Sequence, residues 1–121
     1  MSYTPMTRQA VIAVAEVSAD GQSGSFQFGP CDRVYFLERV TVIDNAGDSM
    51  ILYYEFQDSG DSQWYPLANS DVLGAVGVST TVVDVPPQSP IRARYDVTIP
   101  GAPGDGITFG VTAIEVHGGG A

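Results

Sequence analysis

Apolar and polar residues alternate most regularly in residues 91–99, IRARYDVTI. Every second position from Ile91 is apolar or small, whereas Arg92, Arg94 and Asp96 fall on positions between them. A repeat of two residues places the two sets on opposite faces of a β-strand. The segment therefore predicts a strand with one face buried and the other in solvent.

The longest patterned stretch is residues 34–67, VYFLERVTVIDNAGDSMILYYEFQDSGDSQWYPL. Its runs of β-branched and aromatic residues, 34–43 and 50–56, favour a pleated surface. The breaks DNAGD and DSGDS contain the Asp, Asn and Gly that form turns. The stretch predicts two paired strands and a short third that starts at Trp64. The 50–56 strand is apolar on both faces, so it is either central in a two-layer fold or covered by a neighbouring chain.

Glu38 interrupts the pattern of the first run. It shares alternate positions with Phe36 and Val40, which would otherwise form one apolar face. The run therefore predicts a strand without deciding which of its faces is inward.

Four further segments are predicted to be strands, at residues 10–17, 25–28, 79–85 and 107–116. Short strands separated by Gly and Pro turns are typical of sandwiches and barrels. We therefore predict an all-β protein, a single antiparallel β-sandwich or jelly roll of about eight short strands. The sandwich is expected over residues 10–117, after an extended arm at 1–9 and before a glycine-rich tail at 118–121.

The length of 121 residues is that of one domain. A chain of this size buries roughly two-thirds of its surface on folding, so it can form a core without metals or disulfides. Its single cysteine, Cys31, cannot form an intramolecular disulfide. The first ten residues lack the basic and apolar regions of a signal peptide, and no later run is long enough to span a bilayer. We expect a soluble protein.

The net charge is −9, from 14 acidic residues against five arginines, and there is no lysine. A nucleic-acid binder needs a basic surface that releases counterions from the phosphates. Dispersed arginines on an acidic chain do not provide one. Nucleic acid and anionic membranes are therefore not expected as partners.

Residues suited to catalysis are sparse. His117 is the only histidine, and neither it nor Cys31 stands in a motif that would activate a nucleophile. The sequence has no P-loop, GxGxxG or HExxH motif, and it has too few nitrogen and sulfur ligands for a zinc site. We predict that the protein is not an enzyme and holds no cofactor.

The acidic turns raise the question of calcium, which binds oxygen ligands. Asp58 and Asp61 would supply the ligands in the second turn. Neither turn matches the twelve-residue calcium loop, and turn formation alone accounts for both sequences. Calcium at Asp58 and Asp61 is therefore the weaker alternative, and no metal site is predicted.

Tyr53, Trp64 and Tyr65 lie in or beside the central stretch. If their rings were exposed together, they could stack on sugars. A tryptophan that starts a strand between apolar neighbours is more often part of the core, and we favour that position for Trp64. A sugar-binding surface formed by the three rings is the alternative.

Three segments resemble a known type of protein: the strand YYEF, the segment DSGDSQWYPL at residues 58–67 and the later strand IRARY. In small β-sandwich proteins of tailed-bacteriophage virions, of the head decoration or auxiliary type, an S-x-D-G-x-x-W segment precedes an I-R-x-R strand. Here the turn reads DSGD where that family has Asp-Gly in sequence. The resemblance covers roughly residues 34–116, and carbohydrate-binding modules share the same layout.

The resemblance implies a non-enzymatic virion structural protein, assembled in the host cytoplasm. Its expected role is capsid decoration, in which it stabilises the head lattice by bridging subunits of the major capsid protein. It would act as a homo-oligomer, with a trimer favoured. The alternative is a carbohydrate-binding β-sandwich module of a fibre or tail protein.

Six residues form the expected partner-binding set. Arg92 and Arg94, on the polar face of their strand, would pair with acidic groups across a subunit boundary. The others would dock the N-terminal arm on the capsid: Met1, Tyr3, Pro5 and Arg8.

Overall fold

The computed structural model describes residues 6–28, 33–84, 89–99 and 106–116, with side chains from Arg8 onward. These residues form nine β-strands. In chain order the strands are β1 (Met6–Val17), β2 (Gly21–Gln22), β3 (Phe26–Gln27), β4 (Arg33–Ile43), β5 (Ser49–Gln57), β6 (Trp64–Asn69), β7 (Gly77–Val83), β8 (Pro90–Thr98) and β9 (Ile107–Val116). Over this part of the chain, no helix is long and apolar enough to cross a membrane.

The strands form two antiparallel sheets. The first sheet has the order β1-β9-β4-β7, and the second has the order β2-β8-β5-β6, with β3 also paired to β8. The chain therefore pairs from its ends inward: β1 with β9, β2 and β3 with β8, β4 with β7, and β5 with β6. This nesting is the jelly roll, in which a ribbon of four strand pairs wraps into two layers. Because β2 and β3 share one position, the nine strands fill eight positions, and the predicted fold class is confirmed.

The core lies between the two sheets, where the inward alternate residues of the strands meet. Phe36 of β4 stacks on Tyr54 of β5 across the layers, with ring centroids 4.0 Å apart. Phe28 and Phe36 form an edge-to-face pair, with ring centroids 6.0 Å apart. The residues buried to 1 % exposure or less include Val34, Phe36, Met50, Leu52, Tyr54, Ile91, Ala93, Ile107, Phe109, Val111 and Ala113.

The position of β5 explains why both of its faces are apolar. It lies inside the second sheet, between β8 and β6, with Leu52 and Tyr54 turned into the core. Ile51 and Tyr53, on its other face, are half-buried by neighbouring side chains. Of the two alternatives, a central strand in a two-layer fold is the one observed. The predicted pairing of the strands at 34–43 and 50–56 is wrong, because β4 pairs with β7 and β9 in the first sheet and β5 pairs with β6 and β8 in the second.

The N-terminal boundary differs from the prediction. β1 begins at Met6, which pairs with Val116, so Met6 to Gln9 lie in the first sheet and not in an extended arm. The pairing with β9 was invisible in the sequence because it joins residues about a hundred positions apart. Residues 1–5 and the tail 118–121 lie outside the described residues, as do Cys31 and His117.

Candidate functional site

The outer face of the second sheet carries an ordered row of charged and aromatic side chains, which we call the arginine–aromatic row. It comprises Tyr53, Glu55, Trp64, Arg92 and Arg94. Strand register creates it, because Tyr53 lies opposite Arg94, and Glu55 lies opposite Arg92. On the other side of β5, Gln57 lies opposite Trp64. Cross-strand neighbours on one face are close enough to interact directly.

Glu55 is the centre of the row. Its Oε1 accepts a hydrogen bond from Nε of Arg92 at 2.9 Å, and its Oε2 lies 3.5 Å from Nε of Arg94. The guanidinium of Arg92 lies over the Trp64 ring, 4.3 Å from its centroid, and that of Arg94 lies 4.5 Å from the centroid of Tyr53. The planar guanidinium groups are therefore fixed both by a carboxylate and by an aromatic face.

A second carboxylate completes the neutralisation of Arg94. Nη1 of Arg94 donates to Oδ1 of Asp96 at 2.7 Å. Partial burial works against the charge on Arg94, but the hydrogen bonds and charges of Asp96 and Glu55 raise its pKa above the usual value. Together with Asp96, the row thus carries two positive and two negative charges, so this surface has little net charge.

Trp64 does not occupy the position favoured from the sequence. It is half-buried on the outer face beneath Arg92 and takes no part in the core, so that prediction is wrong. The apolar neighbours in WYPL suggested a core strand, but β6 is the edge strand of its sheet and Trp64 lies at its end.

Tyr65 points to the opposite side of β6 from Trp64, since successive residues of a strand alternate. Its ring packs near Phe56 with centroids 5.8 Å apart, and 40 % of the residue is exposed. The three aromatic residues predicted for sugar binding therefore do not form one flat surface. Only Tyr53 and Trp64 share a face.

The turn between β5 and β6 uses the carboxylates that were considered for calcium. Oδ2 of Asp58 accepts the backbone N–H groups of Gly60 and Asp61 at 3.0 and 3.1 Å. Asp61 accepts the N–H of Gln63 at 2.8 Å and the hydroxyl of Tyr65. The hydrogen bond from Tyr65 is the main cause that lowers the pKa of Asp61.

Both carboxylates thus have a role in forming the turn itself. Among the described residues, no three His, Cys, Asp or Glu side chains come together in a group that could hold a metal ion. Calcium at Asp58 and Asp61 stays an untested alternative.

The interior contains a carboxylate whose inward or outward position the sequence did not predict. Glu38, on β4, is 1 % exposed. It accepts hydrogen bonds from the hydroxyls of Tyr54 at 2.5 Å, Ser79 at 2.8 Å and Thr81 at 2.8 Å. Burial, followed by the charge of Glu38, raises the pKa of Tyr54 far above its usual value, so this phenol remains a donor. The signal in the sequence was the alternation that put Glu38 on the Phe36 face.

The outer face of the first sheet has a different character. Val14, Val42, Val78 and Val82 are each between 45 % and 60 % exposed there. Tyr35 lies between Val82 and Ile114 on the same face. Beside β7, Val72 and Val76 are 62 % and 63 % exposed. Exposed apolar side chains grouped on one face are typical of interaction surfaces.

The six predicted partner-binding residues fall into three groups. Arg92 and Arg94 already form ion pairs with Glu55 and Asp96 of the same chain. Arg8 is exposed on β1 opposite Ile114, on the outer face of the first sheet. Arg8 thus lies on a different sheet from Arg92 and Arg94, which share the Glu55 carboxylate. The other three lie outside the described residues: Met1, Tyr3 and Pro5.

Comparison with known proteins supports the fold. No family model and no curated protein matches the sequence. A chain in the structure of infectious bursal disease virus, Gt strain, superposes with a TM-score of 0.52 at 12 % identity, covering 98 % of this chain and 34 % of the virus chain. A chain of the Gx strain gives a TM-score of 0.52 at 11 % identity, covering 98 % and 33 %. The protein therefore spans about a third of the virus chains that it matches, and it shares their β-sandwich fold.

Proposed function

We propose that the protein is a non-enzymatic structural component of a virus particle, and that it decorates the head of a tailed bacteriophage. The observation that carries this proposal is the jelly-roll strand order of a chain of which 98 % superposes on a chain in a virus structure. Eight-stranded jelly rolls build viral capsid domains as well as lectin domains. The partners would be the major capsid protein and further copies of this chain, with the trimer expected from the sequence as one form.

The two outer faces support a role in assembly. The second sheet presents the arginine–aromatic row, whose charges are balanced with the help of Asp96, and the first sheet presents exposed valines. A standard protein interface covers about 800 Å² per partner, roughly an eighth of the 6725 Å² surface of this chain. A subunit of this size can therefore contact two or more neighbours in a lattice.

The direct test compares capsids with and without the protein. Heads that carry it should withstand higher temperature and stronger osmotic shock than heads that lack it, because each bound copy adds contacts between capsid subunits. The measurements are the temperature of DNA release and the surviving infectivity after dilution from high salt. Equal survival of both kinds of head would remove the stabilising role.

The N-terminal segment provides a second test. Removing residues 1–5 leaves β1 intact, because the strand starts at Met6. If these residues dock on the capsid, the truncated protein should keep its β circular-dichroism spectrum and fail to sediment with capsids. Unchanged sedimentation would show that docking uses another surface.

Sugar binding is the second candidate, because Trp64 lies outside the core on the outer face of the second sheet. A sugar would have to stack on the part of the ring that Arg92 does not cover. Trp64→Ala should then retain its fold and lose binding on a glycan array. Tyr65→Ala is the matched control, since its ring lies on the other side of β6. A wild-type protein that binds no glycan would end this candidate.

A further inference from the structure

The free edges of the two sheets differ in how open they are to another strand. An edge strand exposes unpaired N–H and C=O groups, and proteins usually block it with bulges, charges, proline or short length. Three of the edges described here carry such features. β1 has register shifts at Ala10/Ile12 and Ile12/Ala15, β6 contains Pro66 and a register shift at its pairing with β5, and β2 and β3 are two residues long.

β7 is the exception. Its sequence, GVSTTVV, has seven residues without charge or proline, and it pairs with β4 without a register shift. Among the described strands, β4 is its only partner in the sheet, so no described strand pairs with its second edge. Five of its seven residues are valine or threonine, and such β-branched residues favour pairing with another strand.

We propose that β7 pairs with β7 of a second copy, antiparallel and about a two-fold axis, so that two four-stranded sheets become one sheet of eight strands. A two-fold contact uses the same patch on both subunits, so the patch must be complementary to itself. The edge of β7 meets this requirement, because an antiparallel strand can pair with a copy of itself. Full overlap of its seven residues puts Thr80 opposite Thr80 of the partner subunit. On the outer face, Val78 then meets the partner's Val82, and no charged residue opposes another within the strand.

The charge of the chain favours this edge over the rest of the surface. Each copy carries a net charge of −9, so most contacts between two copies are repulsive. The uncharged edge of β7 lets the copies approach with the least opposition. Salt screens the remaining repulsion, and we therefore expect association to tighten as salt is raised. A contact based on ion pairs of Arg8 or Arg39 would weaken instead.

This contact goes beyond the proposed function, because it concerns the isolated chain and needs no capsid. It predicts a dimer, whereas the sequence favoured a trimer. Light scattering on the full chain should give twice 12.8 kDa, with the dimer fraction rising with concentration and salt. A monomer at millimolar concentration, or a trimer, would overturn the proposed dimer. Either result would leave the proposed binding to capsids unaffected.

Two lysine variants locate the contact. Thr80→Lys puts like charges opposite each other at the two-fold axis and should give a monomer with an unchanged β spectrum. Thr41→Lys is the matched control, because Thr41 is also exposed on the first sheet but lies on β4, away from the edge. It should remain a dimer. A dimer in Thr80→Lys, or loss of the dimer in both variants, would exclude edge pairing.

Cysteine cross-linking tests the register and does not depend on how Thr80→Lys folds. Opposed strand residues have Cα atoms about 4.5–5.5 Å apart, which a disulfide can bridge. In a Cys31→Ser background, Thr80→Cys should therefore form covalent dimers on mild oxidation. Val82→Cys alone should not, since it meets Val78 of the partner subunit. Cross-linking by Val82→Cys and not by Thr80→Cys would refute the register.

Discussion

Glu38 shows how much a single buried residue can organise. Its carboxylate lies in the core, and the neighbours that the structure describes for it are hydroxyl donors on β5 and β7. A buried carboxylate is costly unless its oxygens accept hydrogen bonds. Tyr54 connects Glu38 to the second sheet, while Ser79 and Thr81 connect it to the neighbouring strand. Glu38 is therefore hydrogen-bonded to both sheets of the sandwich.

Replacing Glu38 tests this role. Glu38→Leu leaves the three hydroxyls without their acceptor and should lower the free energy of unfolding by about 3 kcal/mol or more. Glu38→Gln keeps an acceptor oxygen and should lose less than half as much. Urea unfolding followed by tryptophan fluorescence gives both values. Equal stability of Glu38→Leu and the wild type would mean that the cluster does not stabilise the fold.

Tyr54 should make the fold sensitive to alkali. Its pKa in the folded protein is raised far above the value of about 10 in the unfolded chain, so only the unfolded state ionises as the pH passes 10. Stability is therefore full below pH 10 and falls above it. Tyr54→Phe should be less stable at pH 7, because Glu38 loses a donor, but its stability should decline less between pH 10 and 11. A decline as steep as that of the wild type would contradict the assignment.

At the level of elements, glycine decides where strands approach each other closely. Gly106, just before β9, lies against the end of β1, and a Cβ there would be 2.9 Å from the carbonyl oxygen of Val17 and 2.7 Å from Cγ of Glu16. Asp44 also accepts the N–H of Gly106 at 2.9 Å. Gly106 thus connects the β4–β5 turn to the edge of the first sheet. The space beside its Cα is too small for a side chain.

Gly106→Ala should destabilise the protein by about 1–3 kcal/mol, because the backbone at Val17 has to move. Gly24→Ala is the matched control, since no atom lies within 4 Å of a Cβ at that position. It should change stability by less than about 0.5 kcal/mol. The measurement is the urea midpoint at constant m-value. Equal effects of the two substitutions would show that the contact at Val17 does not limit the site.

For the whole molecule, the nested pairing makes the two ends of the chain interdependent. β1 and β9 pair along almost their whole length although they lie at opposite ends of the sequence. Long-range pairs of this kind have to form against a large loop entropy, so folding is expected in the slow range of β proteins. They also place β1 over the margin of a core that includes Ile107 and Phe109.

Removing residues 1–17 should therefore prevent folding, whereas removing residues 1–5 should not. The longer deletion exposes the edge of β9 and uncovers the core beside Val11. Circular dichroism and the dispersion of amide resonances distinguish the two outcomes. A folded product lacking residues 1–17 would show that β1 is dispensable to the sandwich.

The sequence predicted the strands better than the surfaces. Alternation in residues 91–99 and the acidic turns around β5 were local signals, and both lie in the structure as predicted. Trp64 was misplaced because its apolar neighbours indicate a strand without indicating whether it lies at an edge. The arginine–aromatic row was missed for a related reason, since Glu55 and Arg92 become neighbours only through the register of β5 and β8.

The sequence by itself determined the fold class, the two-layer arrangement and the turns, because these depend on alternation over a few residues and on the preferences of Gly, Pro, Asn and Asp. Only the tertiary structure decided the nesting of the strands, the inward position of Glu38 and the place of β7 at the end of its sheet. Each of these depends on which sequence-distant strand pairs with a given strand. The alternation within a strand is compatible with several pairing partners. The surfaces proposed for assembly follow from that choice of neighbours.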